Sequence, residues 1–276
     1  MKESMTASVQ SSVSKQAKRA VRPKRDRLFI HTLIVFGLFF LFSLWQLSID
    51  YRSLITGTAQ LIEFVGHMLP PDVSTWKTVV VAGVESLQIA FVGTSLGIGM
   101  ALCFSFLAAE NLTPHPFVSY VIKGLAALIR AIPALIWVLI FIVAVGMGPF
   151  PGILALAFNS LGMLIKVFSQ SIEELDEGIF EGLRSTGANW LHVVCQGVVP
   201  SVLTAFMSWS VFRLEINFRY ATILGMVGAG GIGWELTSAM RMYRLEEAMF
   251  IILVIFVMVF TVEMAGNRLK KMINRI

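Results

Sequence analysis

Six long apolar runs dominate this chain: 28–49, 82–108, 123–146, 152–168, 200–226 and 247–266. A helix needs about 20 mostly apolar residues to cross a hydrocarbon core of about 30 Å. That core holds no water to satisfy backbone N–H and C=O groups, so each crossing segment must bond its own backbone, as a helix does. The runs therefore predict an all-α integral membrane protein with about six transmembrane helices. The charge content agrees. Only 14% of residues are charged and mean hydropathy is +0.77, against about 25% charged in a soluble domain. A soluble globule, a disordered chain and a fibrous repeat are all excluded.

The first 27 residues hold eight basic side chains against Glu3 and Asp26. That surplus exceeds the net charge of the whole chain, +5, so the remainder is close to neutral. A basic tail beside an apolar span reads as a cytoplasmic topology signal, and no nucleic-acid partner is expected. The C-terminal tail, 267–276, is basic as well, through Arg268, Lys270, Lys271 and Arg275. Six crossings put both termini on one side, the cytoplasmic side. No small-residue cleavage site follows the first run, so 28–49 is expected to stay as a transmembrane helix. Residues 50–81 then form an external loop, with room for a short amphipathic helix through Leu54, Ile55, Leu61, Ile62 and Val65. Residues 82–266 form the core. Cys103, Cys195 and the four histidines show no ligand spacing, so neither a disulfide framework nor a metal site is expected.

On this topology the largest inside loop is 169–199. It opens acidic (Glu173, Glu174, Asp176, Glu177, Glu181) and turns apolar and aromatic (Trp190, Leu191, Val193, Val194). A backbone turn at Gly187 would bring Leu183, Trp190, Leu191 and Val194 together. Such a hairpin can dock a partner or lie back on its own membrane domain.

Within this loop stands Glu181-Gly182-Leu183, three residues, Gly187, nine residues, then Gly197-Val198-Val199-Pro200. The spacing resembles the cytoplasmic loop signature of binding-protein-dependent ABC importer permeases: Glu-Ala-Ala, three residues, Gly, nine residues, Ile, any residue, Leu, Pro. Glu181, Gly187 and Pro200 match by identity. Gly182, Leu183 and Gly197 depart from Ala, Ala and Ile, and Val199 replaces Leu. Gly187 is free to take a positive φ between two helices, and Pro200 suits the first turn of the next span. The resemblance implies that Glu181, Gly182, Leu183, Gly187, Ala188 and Pro200 form a cytoplasmic coupling helix and its flanks, docked on a separate ATP-hydrolysing subunit.

Further motifs follow in order: Arg130-Ala131-Ile132-Pro133, Gly146-Met147-Gly148-Pro149-Phe150, Lys166 ahead of Ser171-Ile172-Glu173, the stretch Phe212 to Arg219, and Leu224 to Gly233. Together they are similar to the permease subunit of phosphonate-type ABC importers, which also serve phosphite and related phosphorus oxyanions. This resemblance implies an ABC importer permease fold in the bacterial cytoplasmic (inner) membrane. It implies a second copy of the chain completing the pore, two ATP-binding subunits holding ATP and magnesium, and a periplasmic or lipid-anchored substrate-binding protein. It also sets Gly225, Gly228, Gly230, Gly231 and Gly233 near the dimer axis or outer gate. The glycines spell GxGxxG, but they follow a membrane span rather than a strand, so a dinucleotide site is not expected. No Gly-Lys-Ser/Thr occurs anywhere, so this chain is not the ATPase and carries no cofactor of its own.

Charges inside spans cost about 3 kcal/mol each at mid-bilayer and face protein or water. Glu215 and Arg219 share one helical stripe with Ser208, Phe212 and Thr222; Arg213, Asn217 and Tyr220 form a second. Two readings are open. Glu215 and Arg219 pair and hold helices together, or one stripe lines a translocation path, where Arg, Asn and Tyr donors would suit an oxyanion. Glu85 stands at the outer mouth of that path. Arg130 and Lys166 are expected near the cytoplasmic face, snorkelling or touching lipid. An ion-coupled secondary transporter is the competing class, but it usually shows internal repeats, and no convincing repeat is present. A membrane scaffold with a docking loop is a third reading, disfavoured by the loop signature.

Overall fold

The computed structural model describes residues 27–47 and 50–273. The basic stretch 1–26 and the last three residues lie outside the described residues. Two compact units are present, one ending at Glu63 and one starting at Phe64. The first holds α1 (Arg27–Gln46), long and apolar enough to span a membrane, and most of α2 (Tyr51–His67). Helix α2 occupies the segment where the sequence leaves room for an amphipathic helix.

The second unit contains α3 (Trp76–Ala108), α4 (Pro116–Ala131), α5 (Ala134–Val145), α6 (Pro149–Glu173), α7 (Glu177–Ser185), α8 (Trp190–His192), α9 (Val199–Leu224), α10 (Ile232–Arg241) and α11 (Leu245–Ile273). Two π-helical turns, Val193–Val198 and Gly225–Ala229, flank α9. No strand occurs among the described residues.

Helix α6 is the hub. Its neighbour α3 lies along it in the same direction: Gly93 faces Ile153 and Leu156, and Gly97, one turn on, faces Ala157 and Ser160. A Cβ on Gly93 would come within 2.8 Å of the Leu156 Cβ. Small residues at this spacing let backbones approach closely, which is how helices associate where lipid is as apolar as leucine. The far end of the core is aromatic, with Phe168 stacked on Phe206 at a centroid distance of 4.1 Å. Such a pair adds about 0.5–1.5 kcal/mol beyond its buried area.

Because α3 and α6 run the same way, the chain must return across the bilayer between them. Helices α4 and α5 do so, bent by 88° at their junction. The run 123–146 reads as one apolar stretch, yet the structure breaks it at Ile132-Pro133. Proline lacks an N–H and drives the preceding residue out of the helical region; Ile132 is extended, with φ −91° and ψ 119°. The 12 residues of α5 rise only about 18 Å, too short to cross alone. The six crossings are therefore α1, α3, the α4–α5 pair, α6, α9 and α11. Helix α11 runs on to Ile273, so much of the basic C-terminal segment is helical.

Candidate functional site

Three features gather the residues that sequence singles out, and all lie on α6 and its neighbours. The first is the hairpin after α6. Asp176 opens α7 by accepting the Gly178 N–H at 2.7 Å, which satisfies an orphan donor of the first turn. At the other end Gly187 adopts φ +80°, left-handed backbone that favours glycine. Asn189 then accepts the His192 N–H at 3.0 Å and starts the next helix. The hairpin has two faces. Phe180, Val193 and Val194 are buried in the core cluster, with Leu183 and Ala188 packed against it. Glu181, Gly182, Gly187, Leu191 and Pro200 are exposed. Trp190 is 44% exposed, and its Nε1 donates to the Leu112 carbonyl at 2.8 Å. The hairpin is thus stitched to the α3–α4 turn. There Lys123 bridges Glu110 and Glu173 at 2.7 and 2.9 Å, and Asn111 donates to the Ile172 carbonyl at 2.9 Å.

The second feature is a polar knot in the interior of the packed spans α3, α6 and α9. Arg213 is 4% exposed and Asn217 fully buried. Arg213 Nε donates to Ser160 Oγ at 3.1 Å, and its Nη1 lies 3.2 Å from Met163 Sδ. Asn217 Nδ2 donates to Ser160 Oγ at 2.6 Å and to Thr94 Oγ1 at 2.8 Å. Ser160 and Thr94 themselves donate to helix carbonyls one turn back, Leu156 and Ala90. One serine on the central helix therefore joins α3, α6 and α9. Arg213 Nη2 and Asn217 Oδ1 have no partner, and no carboxylate pairs with Arg213 among the described residues. Tyr220, on the same stripe by helical spacing, is exposed instead.

The other stripe turns toward α11. Glu215 Oε1 accepts from Arg219 at 3.2 Å, and Glu215 Oε2 meets Lys270 Nζ at 3.1 Å. Arg219 also reaches Glu263 at 3.0 Å. Sequence reasoning placed Lys270 only in the basic tail and Glu263 nowhere, and it put neither Ser160 nor Thr94 in the knot. Lys270 could have been found by extending the last helix into the basic tail. A lone serine or threonine in an apolar run gives no comparable signal.

The third feature lies at the opposite end of α6. Gly228, Gly230 and Gly231 all take positive φ, at +110°, +77° and +70°. Gly231 abuts Ser86, and a Cβ on Gly233 would overlap the Thr222 carbonyl. Ser86 Oγ accepts the Ile232 N–H at 2.9 Å, and Gly228 O accepts the Gly148 N–H at 2.9 Å. The loop closes a cavity of about 310 Å³ lined by Glu85, Met147, Trp234 and Glu235. Glu85 Oε1 sits 2.8 Å from where a Gly230 Cβ would be. Glu85, Gly228, Gly230 and Gly231, far apart in sequence, thus share one mouth, and Gly225 packs beneath them on Gly230 and Gly233.

The spans pack around α6, with a half-buried hairpin at one of its ends and a glycine loop at the other. The chain belongs to the family described as binding-protein-dependent transport system inner membrane component, whose profile matches residues 93–275. It is 37% identical over 238 residues to the phosphite transport system permease protein PtxC of Stutzerimonas stutzeri, covering 86% of each chain. It is 36% identical over 231 residues to the phosphate-import permease protein PhnE of Mycolicibacterium smegmatis, covering 84% of this chain and 43% of that one. Among solved structures, an inward-facing MetNI methionine ABC transporter aligns with a TM-score of 0.64 at 20% identity, over 72% of this chain and 98% of the other. The fold is that of an ABC importer permease, in a multi-pass inner-membrane protein.

Proposed function

We propose that the chain is the permease of an ATP-driven importer for phosphite, phosphonate or a related phosphorus oxyanion. The similarity to PtxC across 86% of both chains carries this reading. Two copies form the pore, both termini face the cytoplasm, and a substrate-binding protein delivers cargo to the outer mouth. Two ATP-binding subunits hold ATP and magnesium; this chain supplies no catalytic group. The exposed face of Glu181, Gly182 and Gly187, with Ala188 and Pro200 at its flanks, is the coupling surface. Its movement reaches the core through Trp190–Leu112 and through the buried side of α7. The glycine loop and Glu85 form the outer gate.

Arg213 acts on the cargo by its field. A buried guanidinium with no counter-ion among the described residues sets a positive potential inside the helix bundle, where low polarity weakens screening. It lies behind Met163, on an α6 stripe that continues through Lys166 and Gln170. We assign the translocation route to that stripe, with Glu215 and Arg219 holding α9 to α11 instead. An importer must release its cargo, so a potential without a tight cage suits the task better than a closed site.

The test is reconstitution with the partner ATPase and binding protein in vesicles. Uptake of phosphite, phosphate and methylphosphonate is compared with uptake of methionine and carnitine. Import of a phosphorus oxyanion, dependent on ATP, is the expected result. Import of methionine or carnitine alone would overturn the substrate class.

A further inference from the structure

Near the hairpin end of α6 a cavity of about 300 Å³ opens between α4 and α6. Lys123, Arg130 and Lys166 line it, against one carboxylate, Glu173. Lys123 and Glu173 are already paired at 2.9 Å, and Glu110 lies 2.7 Å from the same Lys123. Arg130 and Lys166 differ. Both are exposed, and neither has an ion pair or a side-chain hydrogen bond among the described residues. The Gln170 side-chain amide, one turn beyond Lys166 on the same wall, is likewise without a partner.

The cleft is held in shape by Gly162. A Cβ there would stand 3.0 Å from Arg130 Cγ and 3.0 Å from the Ala126 carbonyl, so α4 and the stem of Arg130 are seated directly on α6. Lys166 lies seven residues before the end of α6, about 10 Å of helix rise inside it. A planar guanidinium fork and a point ammonium, with a neutral amide beside them, match a tetrahedral oxyanion. The fork takes two oxygens and the ammonium a third.

We propose that this cleft binds a phosphorus oxyanion group through Arg130 and Lys166, with Gln170 as a neutral donor. The group has two possible sources of the same chemistry: the transported anion on its way out, which rests on the import reading above, or the phosphate of an anionic lipid at that membrane face.

The experiment uses the full complex with its ATPase subunits, wild type beside Arg130→Gln, Lys166→Gln and Lys166→Arg, with Lys77→Gln as a distant exposed control. One arm measures phosphatidylglycerol retained by the complex from mixed phosphatidylglycerol–phosphatidylcholine nanodiscs, by native mass spectrometry. The other measures uptake of inorganic phosphite, phosphate and methylphosphonate into vesicles of phosphatidylcholine alone. Each Gln variant should lower one of the two readouts about tenfold, the loss of one charge-assisted contact, while Lys166→Arg retains most of it. A fall in retention identifies the lipid phosphate; a fall in uptake in vesicles that hold no anionic lipid identifies the transported anion. If both Gln variants match wild type and Lys77→Gln in both arms, the cleft is no anion site. If wild type imports none of the three anions, the import reading fails on its own, and lipid retention alone then decides the cleft.

Discussion

Leu183 occupies the space that any side chain on Gly197 would need. Its Cδ1 is the nearest atom to a Cβ built on Gly197, with Ile179 Cγ2 3.3 Å from the same point. The importer loop signature carries alanine at the first position and isoleucine at the second. This chain carries leucine and glycine, so bulk has moved from one side of the hairpin to the other. Two departures from the pattern are one compensated exchange, and the contact between the hairpin and the base of α9 is kept.

This exchange predicts a non-additive pair. Gly197→Ile alone overpacks the contact and should cost about 1–3 kcal/mol. Leu183→Ala alone leaves a void and should cost about 2–3 kcal/mol for a half-buried leucine. The double variant should recover most of the loss, because volume is restored and the residues touch. Thermal stability of the purified complex, with uptake alongside, measures the cycle; strict additivity would remove the compensation argument.

Gly187→Val tests the turn. At φ +80° a β-branched residue is strained by about 1 kcal/mol or more. Nothing lies within 4 Å of a Cβ there, so the effect comes from backbone alone. The complex should still assemble, while transport and the stimulation of ATP hydrolysis by loaded binding protein both fall. Full transport by Gly187→Val would count heavily against a coupling role.

The crossings were legible because a hydrocarbon core imposes a length that hydropathy reads directly. The break at Ile132-Pro133 was visible as a dipeptide, yet the apolar run continues through it, and hydropathy does not register direction. The orientation of α9 was harder. Helical spacing separates Glu215–Arg219 from Arg213–Asn217 but does not say what each stripe meets, since that depends on Ser160, Thr94, Glu263 and Lys270 on other helices. The glycine loop was legible as a bend, whereas its meeting with Glu85 and Ser86 depends on α3 lying parallel to α6.

Ser160 carries the polar knot, so Ser160→Ala should strip the acceptor from Arg213 Nε–H and from one of the two Asn217 amide N–H groups, the other keeping Thr94. Each such loss costs about 1–3 kcal/mol, and complex yield should drop sharply. Arg213 separates structure from field. Arg213→Lys keeps the charge and Arg213→Gln removes it, and both disturb the same contacts. If the potential matters, the lysine variant should import the anion several-fold faster than the glutamine variant at equal yield. Equal uptake by the two would reduce Arg213 to a packing role.

The last prediction concerns the junction of α9 and α11. The Glu215 side chain is 11% exposed and meets two cations, Arg219 and Lys270, whose side chains are 48% and 26% exposed. Glu263, at 47%, meets Arg219 alone among the described residues. Removing one partner of a fully buried pair costs about 3–5 kcal/mol, whereas an exposed pair is worth about 0–1 kcal/mol. Glu215→Gln leaves Lys270 without an acid among the described residues, and Lys270, close to the end of α11, is partly uncovered, so its cost should fall between these limits, about 1–3 kcal/mol. Glu263→Gln should cost under about 1 kcal/mol, since Arg219 keeps Glu215. Detergent-stable complex yield and melting temperature read the difference, and raised salt should narrow it, because partly exposed pairs are screened. Equal losses for the two variants would mean that Glu215 does not anchor α11. A Glu215→Gln complex that assembles normally yet fails to transport would move Glu215 from the helix junction to the path.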